Sequence, residues 1–136
     1  MRPADVVRDN PRLAANVGDV LEGLSPVLAD QPNLRIHWVE EYARAEVAGE
    51  SNRAGIVAVA AGGLVLMWRH GLMYRKRTWR WIPRSDIDGW EWTGDRLVGS
   101  APGSSGPAVV VEFRPESAEA EAFGERFRLI APWGRG

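Results

Sequence analysis

The side chains in this sequence with the greatest capacity for chemistry stand close together. Positions 69–84, RHGLMYRKRTWRWIPR, hold Arg69, Arg75, Lys76, Arg77, Arg80 and Arg84, with His70 and no acid. Guanidiniums present planar paired donors that match phosphate and carboxylate oxygens. Interleaved Trp79 and Trp81 add flat apolar faces of the kind that stack on bases or sit beside lipid headgroups. The segment therefore reads as a surface for an anionic partner. A competing reading makes the same cations a solvated strand face that keeps a sheet soluble, with Arg stems covering Trp rings. Lys76 is the only lysine among the 17 Lys and Arg. Arginine is thus the default cation of this chain, and each single Arg carries less meaning.

Other candidate chemistry is sparse. Trp79, Trp81, Trp90 and Trp92 fall at a spacing of two, which suits cross-strand pairing inside a sheet. An outward-facing pair among them would be an aromatic contact for a partner. His37 and His70 have no Cys, His or Asp cluster beside them to complete a metal site. Asp86 and Asp88, with Glu91 beyond, follow a proline where turn formers are expected. GSAPGSSGP lacks the Gly-Lys-Ser/Thr ending of a phosphate-binding loop, and no G-x-S-x-G elbow is present. There is no cysteine, which removes thiolate nucleophiles, disulfides and sulfur-ligated metals together. No catalytic residue, metal ligand or cofactor is assigned, and the expectation is a non-enzymatic protein.

The bounds are those of a small globular chain. At 136 residues, 45% hydrophobic and 26% charged, it fits one core. A formal net charge of −1 gives no whole-molecule field toward nucleic acid or membrane. Charge is nevertheless uneven. Residues 51–96 hold eight cations against four acids, a net +4, whereas residues 1–50 hold five Arg against nine acids, a net −4. No apolar run reaches the roughly 18 residues that span a bilayer. The opening MRPADVVRDNPR carries acids and lacks a secretory apolar core. A cytoplasmic protein is expected.

The elements that must position these residues are read from periodicity. From Leu13 to Leu28 apolar residues recur every three or four positions, which predicts an amphipathic helix with Asn10 as cap and Pro11 at its first position. Pro26 should kink it or start a second helix. Residues 34–48 read as one long strand, with a helix as the alternative. Glu50 to Arg53 reads as a turn. Ile56–Ala61 and Leu64–Trp68 read as a hairpin joined by Gly62-Gly63. Further strands are expected within 72–82, 87–93, 96–98 and 108–113, with a flexible loop at 99–107. A helix follows Pro115 and stops at Pro132. The order is α+β, with six or seven antiparallel strands between two helices.

That order resembles the bacterial pleckstrin-homology-like domains, which are similar to GRAM-like domains. The resemblance covers roughly residues 34–130 and is carried by the hairpin GIVAVAAGGLVLMW, the Ile-Pro step in WIPRSDIDGWEW, the strand AVVVEF and the terminal helix. Those families commonly read hydrophobic–Thr–x–x–Arg–Leu in the hairpin. Here Val59-Ala60-Ala61-Gly62-Gly63-Leu64 has neither the Thr nor the Arg. The resemblance implies a curled antiparallel sheet or partial barrel capped by one helix, acting as a binding or assembly module without catalytic residues. The division is then an N-terminal helical arm at 1–33, the β-rich domain at 34–131 and a tail at 132–136. The expected partner is a protein or a second copy of the chain. The anionic surface of a membrane comes next, and nucleic acid through segment 69–84 after that. The alternative fold is a small-molecule pocket protein of the nuclear-transport-factor-like cone type, with His37, Trp38 or the Trp cluster as lining.

Overall fold

Seven strands follow one another along the chain, and their hydrogen bonding makes one antiparallel sheet in the order β4-β3-β2-β1-β7-β6-β5. The computed structural model describes residues 6, 8–10, 13, 17–32, 34–70, 72–74, 76–103 and 107–130. Helix α1 (Val17–Asp30) precedes β1 (Ile36–Val47), β2 (Glu50–Ala60), β3 (Gly63–His70), β4 (Lys76–Pro83), β5 (Gly89–Trp92), β6 (Arg96–Ser100) and β7 (Pro107–Glu112), and α2 (Ala118–Ile130) closes the series. Two meanders, β1–β4 and β5–β7, meet where β7 pairs with β1 from Arg44 to Val47.

Strand alternation divides the core between the two sheet faces. Val57, Val59, Leu64, Leu66 and Ile82 point to an inner face, where Phe113, Phe123 and Phe127 cover them. Ala58, Val65 and Met67 point to an outer face, where Val20, Leu24 and Val27 of α1 cover them. β2 and β3 are therefore apolar on both sides, which explains their near-continuous hydrophobic runs. The inner face is an aromatic plug. Phe123 is fully buried, its ring 4.7 Å from that of Phe113 and 5.6 Å from that of Phe127. Trp92 meets Phe123 at 5.5 Å, and Trp90 meets Phe127 edge-on at 5.8 Å. This plug occupies the concavity that a cone-type pocket would need, so the cone alternative does not hold.

Several expectations shift. The long strand over 34–48 is β1. Glu50 to Arg53 is strand and not turn, because the reversal falls one step earlier at Ala48-Gly49, where both residues have positive φ (51° and 86°). That pair of angles is the one a tight two-residue hairpin turn demands. The next reversal is Ala61-Gly62, and Gly63 is already paired with Pro83 of β4. A Cβ on Gly63 would collide with the Ile82 carbonyl oxygen, so the second glycine serves close strand approach. Leu72–Tyr74 is a short 3-10 turn at the tip of the β3–β4 hairpin, not strand. β6 runs on to Ser100 into the expected loop. Helix α1 passes through Pro26 without ending. Asn10, expected as a cap, is instead buried, and its side-chain amide donates to the Val39 carbonyl at 2.9 Å. Pro11 lies outside the described residues. The cap of α2 is Ser117, whose hydroxyl accepts from the Ala120 amide at 3.1 Å, with Glu119 and Glu121 in the first turn and Arg128 in the last in accord with the helix dipole.

Candidate functional site

The site grows from a parting of two strands. β2 and β3 pair from Ala60↔Gly63 to Ile56↔Met67 and then separate. Below that point β2 continues beside β1 alone, and β3 continues beside β4 alone among the described pairs. The break coincides with Ala54, held at a φ of 55°, and with Gly55, where a Cβ would collide with the Tyr42 hydroxyl and the Met67 carbonyl. A non-glycine residue in the left-handed region is a strained feature that often marks a functional segment.

The parting opens a cleft of about 1210 Å³ between α1 and strands β1 to β4. Val20, Gly23 and Pro26 of α1, Ile56 of β2, Met67 of β3 and Trp79 of β4 supply its apolar lining, and Arg53, Arg69, Arg77 and Arg114 supply its cations. Glu22 and Glu41 are its acids. Uninterrupted register along β3–β4 sets the order of side chains on the outer face. Val65 opposes Trp81, Met67 opposes Trp79, and Arg69 opposes Arg77. Each step outward from under α1 is thus more polar. Arg69 and Arg77 are like charges directly across a strand pair, where Cβ atoms lie about 5 Å apart and repulsion costs stability. Glu22 reaches Arg77 at 3.7 Å but is 77% exposed, so this bond is screened and weak.

The five described cations of segment 69–84 do not form one patch. Arg69 and Arg77 share the outer face at the cleft. Lys76 opposes exposed His70 at the hairpin end of β4. Arg80 faces the opposite side from Trp79 and Trp81 and approaches Glu50 at 3.8 Å. Arg84 sits at the far end of β4, its amide donating to the Gly62 carbonyl at 2.8 Å. Arg75 lies outside the described residues. The four tryptophans also separate. Trp79 and Trp81 are on edge strand β4 and pack under α1, whereas Trp90 and Trp92 are on the opposite edge strand, β5, and pack on the inner plug. They are half-buried core residues on different faces, not one cross-strand cluster. Only Trp79 of the four lines the cleft.

Sequence reasoning missed Arg53, which looked like part of a turn, and the helix contribution of Gly23 and Pro26. Spacing gave no signal for Arg53, because it lies beyond the last β2–β3 pair, Ile56↔Met67, and pairs with Arg44 of β1. Two other candidates stay apart from the cleft. His37 is exposed on β1, and His70 Nε2 is hydrogen-bonded with the Thr78 hydroxyl. Among the described residues no group of three or more His, Asp or Glu is placed to hold a metal ion, and no helix is long and apolar enough to cross a membrane.

A meander of four strands, a second meander of three and a C-terminal helix filling the inner face define the pleckstrin-homology-like fold. Solved structures agree. A DUF1696 family protein with a pleckstrin-homology domain from Shewanella loihica PV-4 is similar over 85% of this chain and 93% of its own, with a TM-score of 0.51 at 14% identity. A pleckstrin-homology domain from Shewanella amazonensis SB2B is similar over 83% of this chain and 86% of its own, with a TM-score of 0.52 at 18% identity. No family model matches the chain, and no curated protein matches it in sequence. The likeness is one of fold.

Proposed function

We propose that this chain is a non-enzymatic binding module that takes an anionic partner at the cleft between α1 and the parted strands β2 and β3. The observation that carries the reading is the placement of Arg69 directly opposite Arg77, with Arg53 also lining the cleft. Three guanidiniums from three neighbouring strands, with Arg114 beside them, outnumber the two lining acids Glu22 and Glu41, and their paired donors match carboxylate and phosphate oxygens. The cytoplasm, where the chain is expected, supplies many such anions.

The test is a titration of isotope-labelled protein with three anionic probes: inorganic phosphate, a hexa-aspartate peptide and phosphatidylserine vesicles. At least one should shift backbone amides around Arg53, Arg69 and Arg77. The shifts should fade between about 50 mM and 500 mM salt, as screening requires. They should vanish in Arg69→Glu/Arg77→Glu protein whose circular dichroism is unchanged. Shifts centred elsewhere, or none with any probe, would remove the cleft from consideration.

A further inference from the structure

We infer that the ligand of this cleft is a single-chain amphiphile with an anionic head, a long-chain carboxylate being the simplest case. The inference rests on the proposed anion site and adds the part of the ligand that the arginines do not explain. Within the cleft the outer face of β3–β4 changes from the Arg69–Arg77 pair to the Met67–Trp79 pair, and Val20, Pro26 and Ile56 continue the apolar lining. A small inorganic anion would use the first step alone. A ligand that matches the whole gradient carries a charge at one end and a hydrocarbon tail at the other.

The tail side is built to yield. Gly23 is where α1 passes over β3, and a Cβ there would still stand 3.5 Å from the Met67 sulfur. Met67 has an unbranched, polarizable side chain that repacks around a guest more readily than a β-branched one. Ile56 flanks it from β2, partly exposed because β2 leaves β3 at that residue. The head side is fixed, since Arg69 and Arg77 project from paired strand positions and not from a loop. The parted backbone edges of β2 and β3 are also a template for an extended peptide. That occupant would leave the apolar step at Met67 and Trp79 without a matching group.

The experiment compares acetate, octanoate, dodecanoate and dodecanol, each below its aggregation threshold, by methyl and amide shifts and by tryptophan fluorescence. Dodecanoate is expected to bind most tightly. Each fully buried methylene is worth up to about fourfold, so dodecanoate should exceed octanoate by as much as two hundredfold. Its shifts should centre on the Met67 and Ile56 methyl groups. Dodecanol and the Arg69→Glu/Arg77→Glu protein should each bind at least tenfold more weakly than the carboxylate and wild type. Equal binding of acetate and dodecanoate would overturn the amphiphile and leave the anion site standing. Binding of dodecanoate that survives charge reversal, or that shifts the inner-face residues instead, would overturn it too. Sedimentation with phosphatidylserine vesicles without uptake of monomeric dodecanoate would replace it with a bilayer surface, and binding of hexa-aspartate alone would replace it with a peptide. Failure of every probe, phosphate included, would remove the anion site itself.

Discussion

Tyr42 and Gly124 carry much of the local precision of this fold. The Tyr42 phenol is buried on β1 and donates to the Asn52 side-chain oxygen. Burial pushes its ionisation well above the ordinary tyrosine range, against a smaller pull downward from the Asn52 bond. A folded-state value above the unfolded one means that the neutral phenol is favoured in the fold. Its contribution is therefore complete below about pH 10 and is lost as pH rises beyond that. Tyr42→Phe should cost about 1 kcal/mol at pH 7 and should flatten the fall in stability above pH 10. Urea unfolding at neutral and alkaline pH checks both, and parallel curves for the two proteins would contradict the assignment. Gly124 lies in α2 against Trp92, where a Cβ would stand 2.5 Å from the indole nitrogen. Gly124→Ala should destabilise by about 1–3 kcal/mol through overpacking, despite the gain in helix propensity. A mutant as stable as wild type in thermal unfolding would show that α2 shifts freely. Residue types made some of this legible and some not. The alternation of Trp79, Trp81, Trp90 and Trp92 marked them as strand residues of the core. Nothing local to them told which face or which edge each pair would occupy.

Among the elements, β1 and α2 set the terms. β7 covers only Arg44 to Val47 of β1, so the first half of β1 needs other partners on that side. Asn10 supplies one by donating to the Val39 carbonyl. Asn10→Ala should strand that buried carbonyl and cost about 1–3 kcal/mol, measured by denaturant unfolding. A loss below 0.5 kcal/mol, on the scale of an ordinary surface substitution, would mean that another group takes over the bond. α2 presents Phe123 to the centre of the inner plug, and Phe123→Ala should cost about 3–5 kcal/mol. The helix itself was readable, since Pro115, Ser117 and the early acids announce its start. β2 was cut short because Glu50, Ser51, Asn52 and Arg53 are turn formers by type. Their strand conformation comes from pairing with β1, from Arg44↔Arg53 to Val47↔Glu50, and from the Tyr42–Asn52 bond. Both are contacts that spacing does not encode. The cleft was hidden for the same reason, because it exists only where two strands that begin as a hairpin cease to pair.

At the scale of the whole molecule, the sheet carries a core on each face, and the two are unequal. The inner one joins strands from both meanders to α2, whereas the outer one packs α1, with Val6 and Leu13 before it, on strands β1 to β4. Amides of α1 should therefore exchange by sub-global opening, faster than those of β2 and β3. Equal protection in native-state hydrogen exchange would show that the two faces unfold together. Fold class was legible because element order and turn spacing suffice for it. Strand order was not, because β4 and β5 are neighbours in sequence and opposite edges in space. The junction of β7 with β1 has a consequence for synthesis. Arg44 and Glu112, bonded across it, are 68 positions apart, so closing the sheet is a long-range event and a slow one. Strands β1 to β4 emerge from the ribosome first and can zip up hairpin by hairpin. Until β7 and α2 follow, Val57, Val59, Leu64 and Leu66 lack the aromatic cover that later hides them. During that interval the nascent chain offers a bare apolar surface to chaperones and to other nascent chains.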